Sequence, residues 1–320
     1  MIKQYHDKIL RGGQLTKEEL MELSKVPLET LGQAANQLRQ ETCGCGFDIC
    51  SIINGKSGRC PEDCKYCAQS IRAHADIEEY PLVSSEKIIK EARYNQEKGV
   101  LRFSIVTSGK RLSDEEVDRL CETYQAMREQ CGISLCASHG LLTENQFRKL
   151  KKAGVSRYHN NLETSRRFFP QICGTHSYDN KIQTIRMAQA AGLTVCSGGI
   201  IGMGETMEDR IDLALELREL GIKSIPINIL NPIPGTLLEH QTRLSAKEVC
   251  QTVALFRFAL PDAAIRLAGG RGLLVDQGKC AFCSGANAAI SGDMLTTAGI
   301  NIKMDIEMVE SLGFEVKPHE

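Results

Sequence analysis

The sequence lacks several features that would point to common classes of partner. Its 39 lysine and arginine residues balance 40 acidic residues to a net charge of −1, and no polybasic block stands out. Charge therefore gives no support for a nucleic-acid or anionic-membrane partner. No run of about 18 apolar residues occurs, and the opening Met-Ile-Lys-Gln-Tyr-His-Asp has no apolar signal-peptide core. We therefore expect a cytoplasmic protein without a membrane-spanning segment.

Other absences bear on architecture and on metal chemistry. The 320 residues, 42% of them hydrophobic, contain no repeat, low-complexity tract or Pro/Ser-rich linker. A single α/β barrel fits this length. The seven histidines form no His-Glu-x-x-His motif, which argues against a zinc hydrolase. Fourteen cysteines without a secretion signal indicate reduced thiols and metal binding rather than a disulfide framework.

Three of these cysteines lie in one short run, Arg59-Cys-Pro-Glu-Asp-Cys-Lys-Tyr-Cys-Ala68. Cys60, Cys64 and Cys67, the cysteine trio, place three thiolates on one loop, near enough to hold one inorganic centre. Zinc sites usually take four ligands from two separated pairs, whereas a trio suits a 4Fe–4S cluster whose fourth iron stays open. A structural zinc knuckle with a fourth ligand elsewhere is the alternative. The spacing favours the cluster.

Four further segments, spread through the chain, accompany the cysteine run, which itself extends from Asn54 to Ser70. They are Tyr158–Ser165, Val195–Thr206, Pro226–Asn228 and Ile265–Arg271. The Cys-x3-Cys-x2-Cys spacing is the signature of the radical S-adenosylmethionine (SAM) superfamily. The five segments, in this order, resemble the biotin synthase family within it. The resemblance covers nearly the whole chain, so the interpretation does not depend on one motif.

From residue 43 onward, strand-like and helix-like segments alternate. Short apolar, β-branched runs predict strands at Phe47–Ile53, Leu101–Thr107, Ile133–Ser138, Ser156–Asn161, Leu193–Ile201, Ser224–Leu230, Ala264–Ala268 and Ala281–Ile290. Amphipathic patterns predict helices at Ser85–Lys98, Asp114–Gln130, Glu144–Ala153, Asn180–Ala191, Met207–Leu220 and Ser245–Leu260. This alternation predicts an α/β fold, a (β/α)8 TIM-type barrel over residues 43–320. Residues 1–42, with a capping-box start at Thr16, predict an N-terminal helical extension.

The barrel prediction places the polar motifs together. Active sites of such barrels lie at the carboxyl ends of the strands. The cysteine trio follows the first predicted strand, Asn161 and Glu163 follow the fourth, and Asn228 lies near the end of the sixth. The sequence therefore predicts one site at this end of the barrel.

The resemblance implies roles in binding SAM. Tyr66 would pack on the adenine, Glu163 would bind the ribose hydroxyls, and Lys181 would face the methionyl carboxylate. For an isolated helical lysine, a solvated surface position is the alternative. Ile200 lies in the Gly-rich segment Gly198–Gly204, which would let the backbone approach the nucleoside.

The resemblance also implies a substrate and a source of sulfur. The reaction would convert dethiobiotin to biotin, with sulfur from an auxiliary iron–sulfur cluster inserted between two carbons. Two C–H bonds break, so two SAM molecules are expected per product. Asn161 and Asn228 are candidates for the ureido group, because a carboxamide both donates and accepts hydrogen bonds.

The auxiliary cluster departs from the usual family pattern of three cysteines and one arginine, which holds a 2Fe–2S cluster. Cys136, Cys196 and Arg266 match that pattern, but Ser104 occupies the remaining cysteine position. A second pair is available at the last predicted strand, Cys280-Ala-Phe-Cys283. Four thiolates, Cys136, Cys196, Cys280 and Cys283, would suit a 4Fe cluster with Arg266 nearby, and this is the favoured expectation. The alternatives are a 2Fe–2S cluster, and barrel packing for the pair.

The remaining cysteines fall into two groups. Cys121, Cys131, Cys173 and Cys250 are interpreted as small buried apolar residues. Cys43, Cys45 and Cys50 lie just upstream of the cysteine trio, and the sequence assigns them no role.

Partners and competing functions complete the expectations. The resemblance implies a homodimer that receives electrons from a low-potential flavodoxin or ferredoxin. Another radical SAM barrel enzyme, of the hydrogenase-maturation or methyl-ornithine type, would share the cysteine trio. A non-catalytic iron–sulfur protein would need no SAM pocket.

Overall fold

A computed structural model describes residues 1–292, 295 and 299–319. Three helices come first: α1 (Ile2–Leu10), α2 (Lys17–Leu23) and α3 (Leu28–Cys43). The strands are β1 (Gly46–Lys56), β2 (Arg102–Thr107), β3 (Ser134–Ser138), β4 (Arg157–His159), β5 (Thr194–Cys196), β6 (Gly199–Ile201), β7 (Ser224–Ile229), β8 (Ala264–Leu267), β9 (Ala288–Ile290) and β10 (Glu315–Val316). The helices between and after them are α4 (Ser85–Glu97), α5 (Asp114–Gln130), α6 (Glu144–Lys152), α7 (Tyr178–Ala190), α8 (Met207–Glu219), α9 (Ala246–Ala259), α10 (Lys279–Phe282) and α11 (Ile302–Ser311).

The strands close into a parallel barrel. Pairing runs β1-β2-β3-β4-β5-β7-β8-β9, and β9 returns to β1 through the register Asp48↔Ala288. β5 and β6 both pair with β7 and are separated by Ser197 and Gly198, so they act as two halves of one strand. The prediction of a (β/α)8 barrel is confirmed. β10 lies outside the ring and pairs with the amino end of β1.

Helix caps explain why the alternation could be read from the sequence. Thr16 accepts a hydrogen bond from the Glu19 amide, and the Glu19 carboxylate accepts one from the Thr16 amide, so the predicted capping box is present. Ser or Thr caps of the same reciprocal kind begin α5, α6, α7, α8 and α9. Each cap satisfies amide groups that the first helical turn leaves unpaired.

The N-terminal helices pack on the outside of the barrel. α2 lies against α8, and α3 lies against α9. Leu31, Ala35 and Leu38 of α3 are fully buried in this contact. The helical extension therefore covers one side of the outer ring of helices.

The barrel floor is ionic rather than aliphatic. Asp48 on β1 is fully buried between two arginines, with Oδ1 2.9 Å from Arg266 Nη2 and Oδ2 3.1 Å from Arg102 Nε. Burial opposes ionisation of the carboxyl, but the charges of Arg266 and Arg102 hold the pKa of Asp48 well below its usual range. Because side chains alternate along a strand, Cys50 follows Asp48 on the same inner face.

The prediction of the last strand is wrong for the first half of its range. The segment Ala281–Ile290 is not one strand: Lys279–Phe282 forms α10, and only Ala288–Ile290 forms β9. A short apolar run has no periodicity that separates helix from strand, and Gly285 at φ +112° breaks the segment into two elements. Cys280 and Cys283 therefore lie before the strand, at its amino end.

Candidate active site

One large cavity opens at the carboxyl ends of the strands. Its volume is about 360 Å³, and it is lined by residues from β1 to β9 and by Tyr66 of the loop that carries the cysteine trio. Among the sequence-predicted residues that line it are Asn161, Glu163, Ile200, Asn228 and Arg266. The motifs that were predicted to meet at this end of the barrel do meet there.

The cysteine trio lies on the loop between β1 and α4, and all three side chains are half-buried. Backbone hydrogen bonds fold the loop back on itself: the Cys60 amide donates to the Gln69 carbonyl at 3.0 Å, and the Cys67 amide donates to the Cys64 carbonyl at 3.0 Å. Three soft thiolates on one tightly turned loop are the donor set of a 4Fe–4S cluster with an open iron. The residues present fit that group.

Glu163 has the geometry of a residue held for binding. Its backbone takes φ +72°, which is strained for a side chain with a Cβ, and its carboxylate is buried. Oε1 lies 3.8 Å from Lys181 Nζ, whereas the buried Oε2 has no hydrogen-bond partner among the described residues. An unpartnered buried carboxylate oxygen on the cavity wall is suited to a hydroxyl-bearing ligand.

Tyr66 and Lys181 flank this carboxylate. Burial raises the pKa of Tyr66 well above its usual value, and the nearby Cys64 and Glu163 groups add to that rise. Lys181 sits on α7 with only 13% of its side chain exposed, and it faces Glu163. The structure thus places Lys181 inward, not on the solvated surface that was its alternative.

Ile200 and the two asparagines line the middle of the cavity. Ile200 on β6 is in register with Asn228 on β7. Asn228 Nδ2 donates to the Gly199 carbonyl at 3.2 Å, and its Oδ1 accepts from the Gly269 amide at 2.9 Å. Asn161 Oδ1 accepts from the Gly198 amide at 3.0 Å. These bonds fix the orientation of both carboxamides at the cavity wall.

A second group of thiols lies deeper in the same cavity. Cys50 on β1, Cys136 on β3 and Cys196 on β5 all line it. Arg266 joins this group to the ionic floor, because its Nη1 lies 3.2 Å from Cys50 Sγ. Burial raises the pKa of Cys50 to about 12 and that of Cys136 to about 11.

Cys196 differs from the other two deep thiols. Burial by itself would raise the pKa of Cys196, but a hydrogen bond with His159 and the charges of His159 and Arg266 bring it to about 7. His159 on β4 is in register with Cys196, and both line the cavity. Ser104 on β2 is in register with Cys136 on β3. Its buried hydroxyl has no hydrogen-bond partner among the described residues.

Cys280 and Cys283, assigned to the auxiliary cluster from the sequence, do not reach the cavity. Both are exposed and lie at α10, before β9, on the outer side of the barrel. Their electrostatic neighbours are Cys250 on α9 and Arg39 on α3, not the deep thiols. The four-thiolate set is therefore wrong, because a Cys-x2-Cys pair on a helix at the amino end of a strand cannot face the carboxyl end.

Cys50 is the residue that sequence reasoning missed. It lies between Asp48 and Ile52 on the inner face of β1 and is the third thiol in the deep part of the cavity, with Cys136 and Cys196. The signal that could have found it is the alternation along this strand, since Asp48, Cys50 and Ile52 share one parity. The residues that fit an auxiliary iron–sulfur group are thus Cys50, Cys136 and Cys196, with Arg266 at its edge.

Comparison with known proteins decides the family. A model of the radical SAM superfamily matches residues 56–217, and one of the Biotin and Thiamin Synthesis associated domain matches residues 226–315. The biotin synthase of Akkermansia muciniphila is 58% identical over 310 residues, which cover 97% of each chain. The chain belongs to the biotin synthase family. A biotin synthase of Clostridium botulinum (strain Alaska E43) is 59% identical over 316 residues, covering 99% of each chain.

Solved structures agree on the fold of this biotin synthase family member. A methylornithine synthase superimposes with a TM-score of 0.86 at 21% identity over 98% of both chains. An FeFe-hydrogenase maturase from Carboxydothermus hydrogenoformans superimposes with a TM-score of 0.81 at 17% identity, covering 98% of this chain and 78% of its own. At such identities the likeness shows the shared barrel alone. The two alternative radical SAM functions therefore have less support than biotin synthase.

Family membership establishes the cofactors in outline. Radical SAM members of the biotin synthase family are enzymes that use a 4Fe–4S cluster, SAM and an auxiliary iron–sulfur cluster. The structure holds two groups of thiols, one on the loop that follows β1 and one inside the barrel. None of the helices among the described residues is both long and apolar enough to cross a membrane.

Proposed function

We propose that this chain is a biotin synthase that converts dethiobiotin to biotin by inserting sulfur. The observation that carries the proposal is that a single cavity joins the loop of the cysteine trio to a second, deeper group of three cysteines. When bound, the 4Fe–4S cluster supplies the electron that cleaves SAM and so yields a radical able to take hydrogen from carbon. The rest of the chemistry depends on how the chain's residues hold the two substrates.

SAM would lie between the cysteine trio and the wall formed by β4 to β6. Tyr66 offers an aromatic face to the adenine, and the unpartnered Oε2 of Glu163 is free to accept a ribose hydroxyl. Lys181, inward and close to Glu163, supplies a positive charge for the methionyl carboxylate. Gly198 and Gly199 let the backbone behind this wall pack closely, because a Cβ at Gly198 would lie 1.9 Å from the Pro226 carbonyl oxygen and one at Gly199 would lie 2.4 Å from the Glu163 carbonyl oxygen.

Dethiobiotin would lie between SAM and the deep thiols. Asn161 and Asn228 face this region and could present amide groups to its ureido ring. Ile52, Ile200 and Leu230 make much of the remaining wall apolar. Such a wall excludes water from the reacting carbons, which protects a radical from side reactions.

Cys50, Cys136 and Cys196 would hold the auxiliary cluster that provides the sulfur. Three thiolates are the same complement that the cysteine trio offers a 4Fe cluster, so a 4Fe type is favoured over 2Fe–2S. Arg266, in contact with Cys50 Sγ and anchored by Asp48, would border the cluster. The Ser104 hydroxyl has no hydrogen-bond partner in the part of the chain that the structure describes, but it is a poorer iron ligand than a thiolate.

Three further expectations rest on the resemblance and on general chemistry. Electrons would come from a low-potential flavodoxin or ferredoxin, and the chain would form a homodimer. A cytoplasmic location is also expected, because fourteen cysteines in this chain suit reduced thiols and metal binding better than a disulfide framework.

The decisive experiment compares Cys50→Ala with the double variant Cys280→Ala/Cys283→Ala. We expect the Cys50 variant to form 5′-deoxyadenosine from SAM, because the cysteine trio is untouched. Its biotin yield should fall at least about 100-fold, because capture of a substrate radical depends on close placement of the sulfur. Its iron content should drop from about eight to about four atoms per chain.

The double variant is the matched control, since it also removes thiols but leaves the cavity intact. It should make both 5′-deoxyadenosine and biotin as the parent does, measured anaerobically in the same reaction. Biotin formation that survives in the Cys50 variant but is lost in the control would restore the original ligand set. A parent enzyme that cleaves no SAM in the presence of dethiobiotin would refute the proposed function itself.

A further inference from the structure

A cysteine that is not a member of the trio lies against one of the trio's sulfurs. Cys173 Sγ is 3.7 Å from Cys64 Sγ, although the two residues are 109 positions apart in the sequence. Cys173 is buried, with 5% of its surface exposed. A buried thiol in hydrogen-bond contact with an iron-ligating thiolate influences that ligand, whereas a small apolar residue would only occupy volume in the core.

The position of Cys173 is set by the segment from residue 172 to residue 176, which docks onto the cysteine loop. The Lys65 amide donates to the Ile172 carbonyl at 3.0 Å. The carboxylate of Asp63 accepts from the amides of Gly174 and Thr175 at 2.9 and 3.0 Å. Asp63 directly precedes Cys64, so these bonds fix the ligand sulfur and Cys173 in one rigid unit.

Glu62 and His176 close the other side of the unit. The Glu62 carboxylate accepts from Thr175 Oγ1 at 2.8 Å and pairs with His176 Nδ1. His176 Nδ1 also lies 3.2 Å from Cys173 Sγ, and its ring stacks edge-on against Phe169. Cys173 Sγ is thus in contact with both the His176 ring and Cys64 Sγ.

The direction of the sulfur–sulfur hydrogen bond follows from the chemistry of the ligand. Cys64 bound to iron is a thiolate and has no proton to donate, so the donor must be Cys173. A second acceptor competes for that proton, because Cys173 Sγ also lies 3.3 Å from Asp63 Oδ1. This oxygen already accepts from Gly174 and Thr175.

We propose that Cys173 is a positioning residue for the 4Fe–4S cluster, and that its thiol donates a hydrogen bond to the ligating sulfur of Cys64. The proposal rests on the cluster assignment given under the proposed function. Hydrogen bonds to the sulfurs of an iron–sulfur cluster stabilise the extra negative charge of its reduced form. Cys173 therefore makes the cluster easier to reduce by an external electron donor, and it makes the reduced cluster a correspondingly milder reductant.

The test is the midpoint potential of the holoenzyme, measured by anaerobic redox titration with electron paramagnetic resonance. The signal that changes on adding SAM identifies the cluster of the cysteine trio. Cys173→Ala should shift its reduction equilibrium about tenfold toward the oxidised form, which is a 59 mV lower potential for one electron. Cys173→Ser keeps a donor and should stay within about threefold of the parent.

Two further variants guard the result. Cys131→Ala removes another buried thiol and should leave the potential unchanged. If the alanine variant does not load the cluster, Cys173→Val takes its place, because it fills similar volume without a proton.

An unchanged potential in the alanine or valine variant would show that the proton goes to Asp63, and would overturn the proposal. A higher potential would overturn it too, because it would mean that Cys173 is an anion in the holoenzyme. Absence of any SAM-responsive signal in the parent would instead refute the cluster assignment on which the proposal rests.

Discussion

Neutralising Asp48 should test how much the barrel depends on its ionic floor. Asp48→Asn keeps the size and most hydrogen-bonding geometry of the side chain but removes its charge. Arg266, which is 1% exposed, then loses the carboxylate that balances it. A buried charge left without its partner is strongly unfavourable, because it has given up its hydration without compensation.

The size of the effect follows from the burial. Removing one partner of a buried ion pair typically costs about 3–5 kcal/mol. Unfolding entropy is about 2.1 cal/mol/K per residue, or about 0.67 kcal/mol/K for a chain of 320 residues. The midpoint of thermal unfolding should therefore fall by about 4–7 °C.

The dependence on pH has a definite sign. The pKa of Asp48 is depressed in the folded state, so its stabilising contribution is fully present above the unfolded value of about 3.9. That contribution is lost only as the pH falls through the lower, folded value. The deficit of the asparagine variant should thus be the same at pH 6 and at pH 8.

The assay is thermal unfolding of parent and variant side by side, under anaerobic conditions and at one scan rate. Asp262→Asn is the matched control, since its pairing with Lys223 is exposed on both sides. Exposed pairs contribute little, so the control should shift by on the order of 1 °C or less. Equal shifts for the two variants would refute the reasoning about the buried floor.

Two further substitutions test the cavity wall. Glu163→Gln should raise the apparent KM for SAM roughly tenfold, because a hydrogen bond to a charged group contributes about 1.5–3 kcal/mol. Glu144→Gln, on an exposed helix, is the control and should leave the KM for SAM unchanged. Equal KM values for the two variants would contradict the ribose contact. Gly198→Ala would place a Cβ 1.9 Å from the Pro226 carbonyl oxygen. It should destabilise the barrel by about 1–3 kcal/mol or more, whereas Gly272→Ala, with no atom within 4 Å, should unfold at the parent's temperature in the same thermal scan. A stable Gly198 variant would show that β6 and β7 can separate.

Two polar layers lie inside the barrel. The lower layer pairs Asp48 with Arg266 and Arg102, which also line the cavity. The upper layer carries the deep thiols and the asparagines, and it is reached from the loop of the cysteine trio. Arg266 belongs to both, because one end of its guanidinium binds Asp48 and the other contacts Cys50.

Much of the fold could be predicted from the sequence, because its signals are local. Helix starts are written in short capping motifs such as Thr16 to Glu19, and the structure has that capping box. The cysteine trio lies within eight residues, so one loop suffices to bring its thiols together whatever the rest of the chain does. The alternation of strand and helix is also a local signal. Because the crossovers between parallel strands are right-handed, this alternation was enough to predict the barrel.

Tertiary structure decided which cysteines lie together inside the barrel. Cys50 and Cys196 approach each other only because β9 closes on β1 and completes the ring. Cys280 and Cys283 look like a strand pair in the sequence, but Gly285 separates them from β9 and leaves them on the outer side. A short apolar run does not state whether it is helix or strand, nor which end of a barrel it reaches.

The neighbourhood of the cysteine trio shows the same division. The trio itself was evident from spacing, since ligands close in sequence are close in space. Cys173 was interpreted as an apolar filler, because its partner Cys64 is 109 residues away and no local pattern links the two. Contacts between distant loops are set by how the barrel brings its strand ends together, so only the folded chain decided which cysteines lie beside which.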